Sequence, residues 1–359
     1  MASPQIIIVG SGIMGACFAY AAAERGCQPL IISGDAPDHG RTATATSWAW
    51  INASSASDHT YFRLRYQSLQ RWQVWMQRLD GLQYSAQASY CWDLSPVEIK
   101  TTASKLTNFG YPCSILNAAS LINHLPYLRD IPVAALHLPI EGAVEPASTA
   151  KLLLEASGAK IVSAHCHSLL ASADKVTGVM TDQGEYSADE VILATGNGTS
   201  RILDTIGMDF PMASTHGLLV RSKPIPSMLS GLVTAPKYHV RQQPDGRLII
   251  GGTFGAYDPA KGTGHLARDA EAQLNLIREA FDAPAPLELD SFTLGYRPIP
   301  EGGMPKIGRV MQNSGKLLTG LYLAVMHSGF SNGAGVADAA MDELLDGEAS
   351  ALLSPFRAN

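Results

Sequence analysis

QIIIVGSGIMGACFAYAAAERG, residues 5–26, is followed closely by a second apolar run at Pro29–Ser33. Ile6–Val9 is apolar throughout rather than alternating, the pattern of a central parallel strand covered on both faces. Gly10-Ser11-Gly12-Ile13-Met14-Gly15 comes next, and the Ala-rich stretch behind it reads as a helix stopped by Gly26. A GxGxxG string carries meaning in this setting, between the strand and the helix of one short βαβ unit. Gly10 permits the tight turn, Gly12 lets the backbone approach a pyrophosphate, and Gly15 lets the helix lie close on the strand. The helix start adds unpaired N–H groups and the positive end of its dipole for phosphate. The stretch predicts a dinucleotide-binding α/β unit.

The acidic residue that commonly ends the second strand and takes the ribose hydroxyls is Ser33 here, with Gly34 and Asp35 after it. Ser33 keeps a hydrogen-bonding group for the ribose, or Asp35 reaches back. Losing the charge also removes the repulsion against a 2′-phosphate, and Arg41 is near enough in sequence to be its partner. This unit alone leaves the choice of dinucleotide open, NADP included.

Composition narrows the class. The chain has 359 residues, enough for two domains, with 46% hydrophobic and 16% charged residues, so an ordered globular protein is expected. With 26 basic against 32 acidic side chains the net charge is −6, which argues against a dedicated nucleic-acid binder. The five cysteines, Cys17, Cys27, Cys91, Cys113 and Cys166, form no CxxC pair, and reduced thiols in the cytoplasm are expected. The first apolar run has the length of a strand, not of a signal peptide, and no run reaches the roughly 20 residues of a transmembrane segment.

Further along the chain, only one GxGxxG occurs. Asp189–Gly196 reads as a buried strand ending in Ala194-Thr195-Gly196, where a glycine lets a second backbone stretch approach the same ligand. Leu321–Val325 is another apolar strand. The loop His327-Ser328-Gly329-Phe330-Ser331-Asn332-Gly333 follows, then a helix over Ala334–Leu345 with Gly347 as its C-cap. Strand, glycine loop and helix at both ends of one chain predict two helix N-termini aimed at one large ligand.

Four segments together carry a family resemblance: residues 10–26, GRTATATSWAWINA at 40–53, VILATGNGTSRIL at 191–203, and LGYRPIPEGGMPKIGRV at 294–310 with the stretch 321–347. In order and spacing they resemble the FAD-dependent amine and amino-acid oxidases of the D-amino-acid oxidase, glycine oxidase and sarcosine oxidase superfamily. The resemblance implies a discontinuous Rossmann-like α/β FAD domain with a second, α+β substrate domain on an antiparallel sheet. Joints near Pro139, Pro211 and Pro298 place the FAD domain at 1–80, 140–210 and 300–359, and the substrate domain at 81–139 and 211–299. FAD would lie extended, adenine toward Ser33 and Gly34 and flavin toward Arg41–Trp50. The implied cofactor contacts are Gly10, Ser11, Gly12, Ile13, Met14 and Gly15; Ser33 and Gly34; Arg41, Thr42, Thr46, Ser47 and Trp48; His167; Ala194, Thr195 and Gly196; and His327 through Asn332. Some relatives tether the flavin covalently; no cysteine falls in the matching C-terminal region, so non-covalent FAD is expected.

For the substrate, the same resemblance assigns Arg297 of Gly-Tyr-Arg-Pro to the carboxylate, a role that suits a planar guanidinium fork. Tyr238–Arg241, the turn Pro244-Asp245-Gly246 and Arg247–Gly251 read as a β-hairpin. His239 and Arg241, two apart, face the same side of it. His239 is expected to meet the amine or carboxylate, and Arg241 a second anionic group, which would make the substrate a dicarboxylate or a derivatised amino acid. Trp48 and Trp50 wall the flavin or substrate pocket, or belong to the core. His165-Cys166-His167 is not read as a metal site, because alternation turns Cys166 away from the histidines. Tyr61–Leu79 reads as an amphipathic core helix, and no GxSxG elbow suggests a hydrolase.

The leading expectation is oxidation of a C–N bond in an amino acid or secondary amine bearing a carboxylate. Hydride passes to flavin N5 and an imine results, with oxygen or a quinone or other electron-transfer acceptor reoxidising the cofactor. An FAD-linked 2-hydroxy-acid dehydrogenase, with His239 as base, is the first alternative. A non-catalytic flavin-binding electron-transfer subunit and an NADP-binding dehydrogenase are the others. Oligomeric state is left open.

Overall fold

The computed structural model describes residues 4–40, 42–172, 174–251, 263–312 and 315–358. The N-terminal third contains β1 (Ile6–Val9), α1 (Ile13–Ala23), β2 (Leu30–Ile32), β3 (Trp50–Ile51), α2 (His59–Arg78), β4 (Ala86–Cys91), α3 (Pro96–Asn108), β5 (Ser114–Asn117) and α4 (Ala118–His124). The middle contains β6 (Ala134–Ala143), α5 (Pro146–Ser157), β7 (Lys160–Val162), β8 (Cys166–Ser172), β9 (Lys175–Thr181), β10 (Gly184–Ser187), β11 (Glu190–Leu193) and α6 (Thr199–Asp204). Then come β12 (Met212–Ser222), β13 (Leu232–Thr234), β14 (His239–Gln242), β15 (Leu248–Gly251), α7 (Thr263–Ala280), β16 (Leu289–Pro300), β17 (Lys306–Met311), β18 (Leu317–Val325) and α8 (Gly329–Asp346).

The strands form two sheets. The first has the order β10-β9-β18-β11-β1-β2-β7, with β17 beside β18 and β8 beside β9. Its centre, β18-β11-β1-β2-β7, is parallel. Ile6 and Ile8 of β1 pack into one core with α1, while Ile7 and Val9 enter a second core on the other face with Ile32, Val191 and Leu193. That double burial is why β1 is apolar at every position. Helix α1 is apolar all round for the same reason: it is wedged between the sheet and helices α5 and α8. Helices α2 and α8 touch along Gly335, where a Cβ would lie 2.7 Å from Ser68 Cα, so only glycine permits this approach.

The second sheet has the order β16-β12-β15-β14-β13-β4-β6-β3, with β5 on β6. It is antiparallel except at β13–β4, a parallel ladder running from Leu232↔Ser89 to Thr234↔Cys91. There the two separate chain segments that build this sheet meet. Two strands cross the boundaries expected from the sequence: β6 continues to Ala143, beyond residue 139, and β3, from the first stretch, pairs with β6. The expected hairpin is present as β14–β15, and the expected amphipathic helix as α2, with Leu64, Leu69, Trp72 and Trp75 fully buried. Local signals set the helix ends: Asp58 caps α2 by accepting from Tyr61 N at 2.9 Å, and Ser95 with Glu98 forms a capping box on α3.

Candidate active site

Between the sheets lies a cavity of about 1220 Å³. This exceeds the usual 300–1,000 Å³ of a single small-ligand pocket. Its floor at one end is the glycine loop. Gly10 has φ +104°, and a Cβ there would meet Ala194 O at 2.6 Å; a Cβ on Gly15 would meet Gly10 O at 1.9 Å. Gly15 therefore seats α1 on β1 and does not itself line the cavity, whereas Gly10, Ser11, Gly12, Ile13 and Met14 do. Thr44, which the sequence reading passed over, accepts from Ile13 N at 2.9 Å and braces the first turn of α1.

Ser33 lines the cavity, but its hydroxyl is folded onto the loop. It donates to Asp35 O at 2.8 Å and accepts from Ser11 N at 3.2 Å. Gly34 lies flush against His165, whose ring a Cβ would strike at 2.0 Å. The wall at this end is Ala164, His165 and Cys166, together with Arg201 of α6. His167, expected here, is exposed and lies outside the cavity, whereas His165 and Cys166 both line it: β8 begins only at Cys166, so the expected alternation does not turn Cys166 away from His165. No group of three or more metal-ligating side chains forms among the described residues. Arg41 lies outside the described residues.

Thr42, Thr46 and Ser47 lead along the wall to Trp48 and Trp50. Trp48 and Trp50, two residues apart, both line the cavity, their indoles 5.7 Å apart and edge to face. Ala49 between them is held at φ +57°, a conformation costing on the order of 1–3 kcal/mol for a non-glycine residue. Ser328, at φ +59°, is strained in the same way at the entry to α8. Ala194, Thr195 and Gly196 line the cavity from the end of β11, and His327 through Ser331 line it from the start of α8. Asn332 lies behind that loop, fully buried, donating to Tyr61 OH at 3.1 Å and to His327 O at 3.3 Å.

Arg65 of α2 is the largest omission of the sequence reading, which took its helix as core only. Its guanidinium, 5% exposed, lines the cavity and donates to Asn52 O, Ser55 Oγ and Ser331 Oγ, each at 3.1 Å. On the far side of the same turn, fully buried Glu141 accepts from Ser54 N at 3.1 Å and Tyr111 OH at 2.7 Å. A buried cation and a buried anion thus hold residues 52–55 from opposite sides. Burial pulls the Arg65 guanidinium below its ordinary pKa and pushes the Glu141 carboxyl above its own.

Arg297 lines the cavity from β16, over Gly217, where a Cβ would meet its Nη2 at 2.3 Å; its Nη1 donates to His216 O. Burial lowers its pKa without discharging it. His327 is pushed down to about 4, first by burial and then by the fields of Arg297 and Arg65, so it is neutral at pH 7. His239 lines the cavity next to Trp48, with ring centres 5.6 Å apart, and burial lowers its pKa too.

Arg241 does not reach the cavity. It is 1% exposed, pairs with Glu145 at 2.7 Å, and donates to Trp48 O at 3.1 Å and Ser85 Oγ at 3.3 Å. The expected second anion site is not there, because the guanidinium is committed to fixing Trp48 and the Glu145 end of α5.

Two helix N-termini, a loop that only glycine can form, and aromatic walls opening toward a half-buried guanidinium fit a dinucleotide with a flat ring system, and define a dinucleotide-dependent oxidoreductase. The family of FAD dependent oxidoreductases matches residues 5–343, and the chain belongs to it. It is 28% identical to a glycine oxidase of Pseudomonas putida over 45% of this chain and 46% of that protein. It is 25% identical to an uncharacterized oxidoreductase of Bacillus subtilis over 97% and 94%. The crystal structure of an L-proline dehydrogenase from P. horikoshii has the same fold, with a TM-score of 0.86 at 19% identity over 99% and 97% of the two chains. The match to the glycine oxidase spans less than half the length of that relative.

Proposed function

We propose that this cavity oxidises the C–N bond of a small amino acid or secondary amine that carries a carboxylate. The observation that carries the reading is Arg297: its cation, stripped of part of its water, opens into the same cavity as the glycine loop and the start of α8. A carboxylate docking there gains paired charge-assisted hydrogen bonds and fixes the substrate in one orientation. FAD, held without a covalent bond along the glycine loop and the 327–331 loop, supplies the two-electron acceptor. The first sheet with its helices serves as the cofactor half and the second sheet as the substrate half. The cysteines lining the cavity, Cys91 and Cys166, are held as thiols by burial, which supports non-covalent binding.

His239, neutral at pH 7, takes a proton from the substrate ammonium and releases the amine in its reactive neutral form. The positive ends of α1 and α8 favour negative charge along the cavity without any movement at the moment of reaction. A neutral His239 also suits removal of a hydroxyl proton, so a 2-hydroxy acid is the second reading. Comparing amines with hydroxy acids for loss of flavin colour without oxygen separates the two. Replacing Arg297 by Lys keeps the charge and loses the fork. We expect kcat/KM for carboxylate substrates to fall about tenfold to a hundredfold. Unchanged kinetics would remove Arg297 from the substrate site.

A further inference from the structure

We propose that the cavity wall beyond His239 selects a substrate with a positively charged tail, an amine or guanidine on the side chain or nitrogen substituent, recognised by Asp93. The inference rests on Arg297 as the carboxylate grip and extends that reading to the other end of the substrate.

Strand register defines the wall. His239 lies opposite Thr234, Thr234 opposite Cys91, and Cys91 opposite Leu136. All four line the cavity, so they form one row across β14, β13, β4 and β6, with neighbours about 4.8 Å apart. Leu138, two residues along β6 from Leu136, widens the row on the same face. Past His239 the row bears no charge: a hydroxyl, a thiol kept protonated by burial, and two leucines. It suits an aliphatic stem.

Asp93 follows two residues after Cys91 and lines the cavity beside Leu94, at the exposed edge. It makes no hydrogen bond or ion pair among the described residues. Apart from Arg297, the carboxylate grip, the other charges near the cavity are committed elsewhere. Arg241 pairs with Glu145, Arg65 bonds Asn52, Ser55 and Ser331, Arg201 donates to Cys166 O at 3.3 Å, and Asp35 faces His39 at 3.5 Å at the opposite end. An anionic tail laid along the leucines would therefore meet a carboxylate and no waiting cation. A cationic tail would find a partner at the end of an apolar track, and the long stem of an amine or guanidine buries well on such a surface.

The test uses flavin-loaded protein and carboxylates with no α-amine: hexanoate and octanoate against their counterparts bearing a terminal amine. Binding is read from the change in the flavin spectrum. We expect the better-fitting amino form to bind about three- to tenfold tighter than the plain acid of its length. Asp93→Asn should bring that ratio to about one, and Asp93→Lys should bring it below one. Asp93→Glu should keep the preference and shift it to the shorter tail. A ratio near one in the unmodified protein, or one that Asp93→Asn leaves intact, overturns the inference. If amines reduce the flavin without tail preference, this inference fails and the C–N reading stands. If tail preference appears but no amine reduces the flavin, this inference stands and the C–N reading fails.

Discussion

Arg241 and Arg297 are the same residue type on neighbouring parts of one sheet, and their surroundings give them opposite work. Arg297 stands over Gly217 and lines the cavity, its Nη1 donating to His216 O, whereas Arg241 is sealed under Trp48 and paired with Glu145. Arg241→Met should therefore act on stability. Breaking a buried pair costs about 3–5 kcal/mol, and Glu145 keeps 26% of its side chain exposed, so about 3 kcal/mol is expected. Urea unfolding measures it; unchanged stability with an altered substrate profile would contradict the assignment. From the sequence, alternation put Arg241 beside His239 and the family resemblance put Arg297 at the substrate, and only Arg297 lines the cavity. The sequence had no means of showing that Glu145, 96 residues away, consumes one of them. Arg65 was missed for the converse reason: a helical stripe of Leu and Trp explains why α2 is buried and is silent about the one cation that enters with it.

At the scale of elements, the site depends on where α8 begins. Ser328 in the left-handed region turns the chain into the helix, Asn332 ties the turn to Tyr61, and Trp72 Nε1 donates to Phe330 O at 2.6 Å. His327 is enclosed by this turn with its folded pKa near 4, below the 6.5 or so of an exposed histidine. The unfolded chain takes up that proton as pH falls through about 6.5, and the folded chain does not until about 4. The contribution is thus complete above pH 6.5 and lost progressively between 6.5 and 4, to a total on the order of 3 kcal/mol. His327→Gln should flatten this part of the stability profile in pH-dependent thermal unfolding. Parallel acid sensitivity of variant and parent would show that His327 titrates normally. The strand–loop–helix order at both ends of the chain was legible because apolar runs and glycines are local signals. The left-handed Ala49 between the two tryptophans was not: alanine carries no conformational mark in a sequence.

Across the whole molecule, a sheet with a parallel centre and helices on it and a largely antiparallel sheet face one cavity, and chain segments far apart in sequence supply its two ends. The strands do not stop at the expected joints: β6 runs past Pro139, and β3, from the first stretch, pairs with β6 in the second sheet. Such joints follow from hydrogen-bond ladders between distant segments, which composition does not encode. No helix of the described residues is long and apolar enough to cross a membrane. The central claim is that this one cavity brings the carboxylate of an amine substrate to Arg297 while its C–N bond meets the flavin. It is tested most directly by titrating flavin-loaded protein, without oxygen, with amines matched in size but with and without a carboxylate. The account predicts full loss of the oxidised flavin colour with at least one carboxylate-bearing amine, and markedly slower loss with its decarboxylated counterpart. Flavin that stays oxidised with every such amine, or is reduced equally well without the carboxylate, would contradict it.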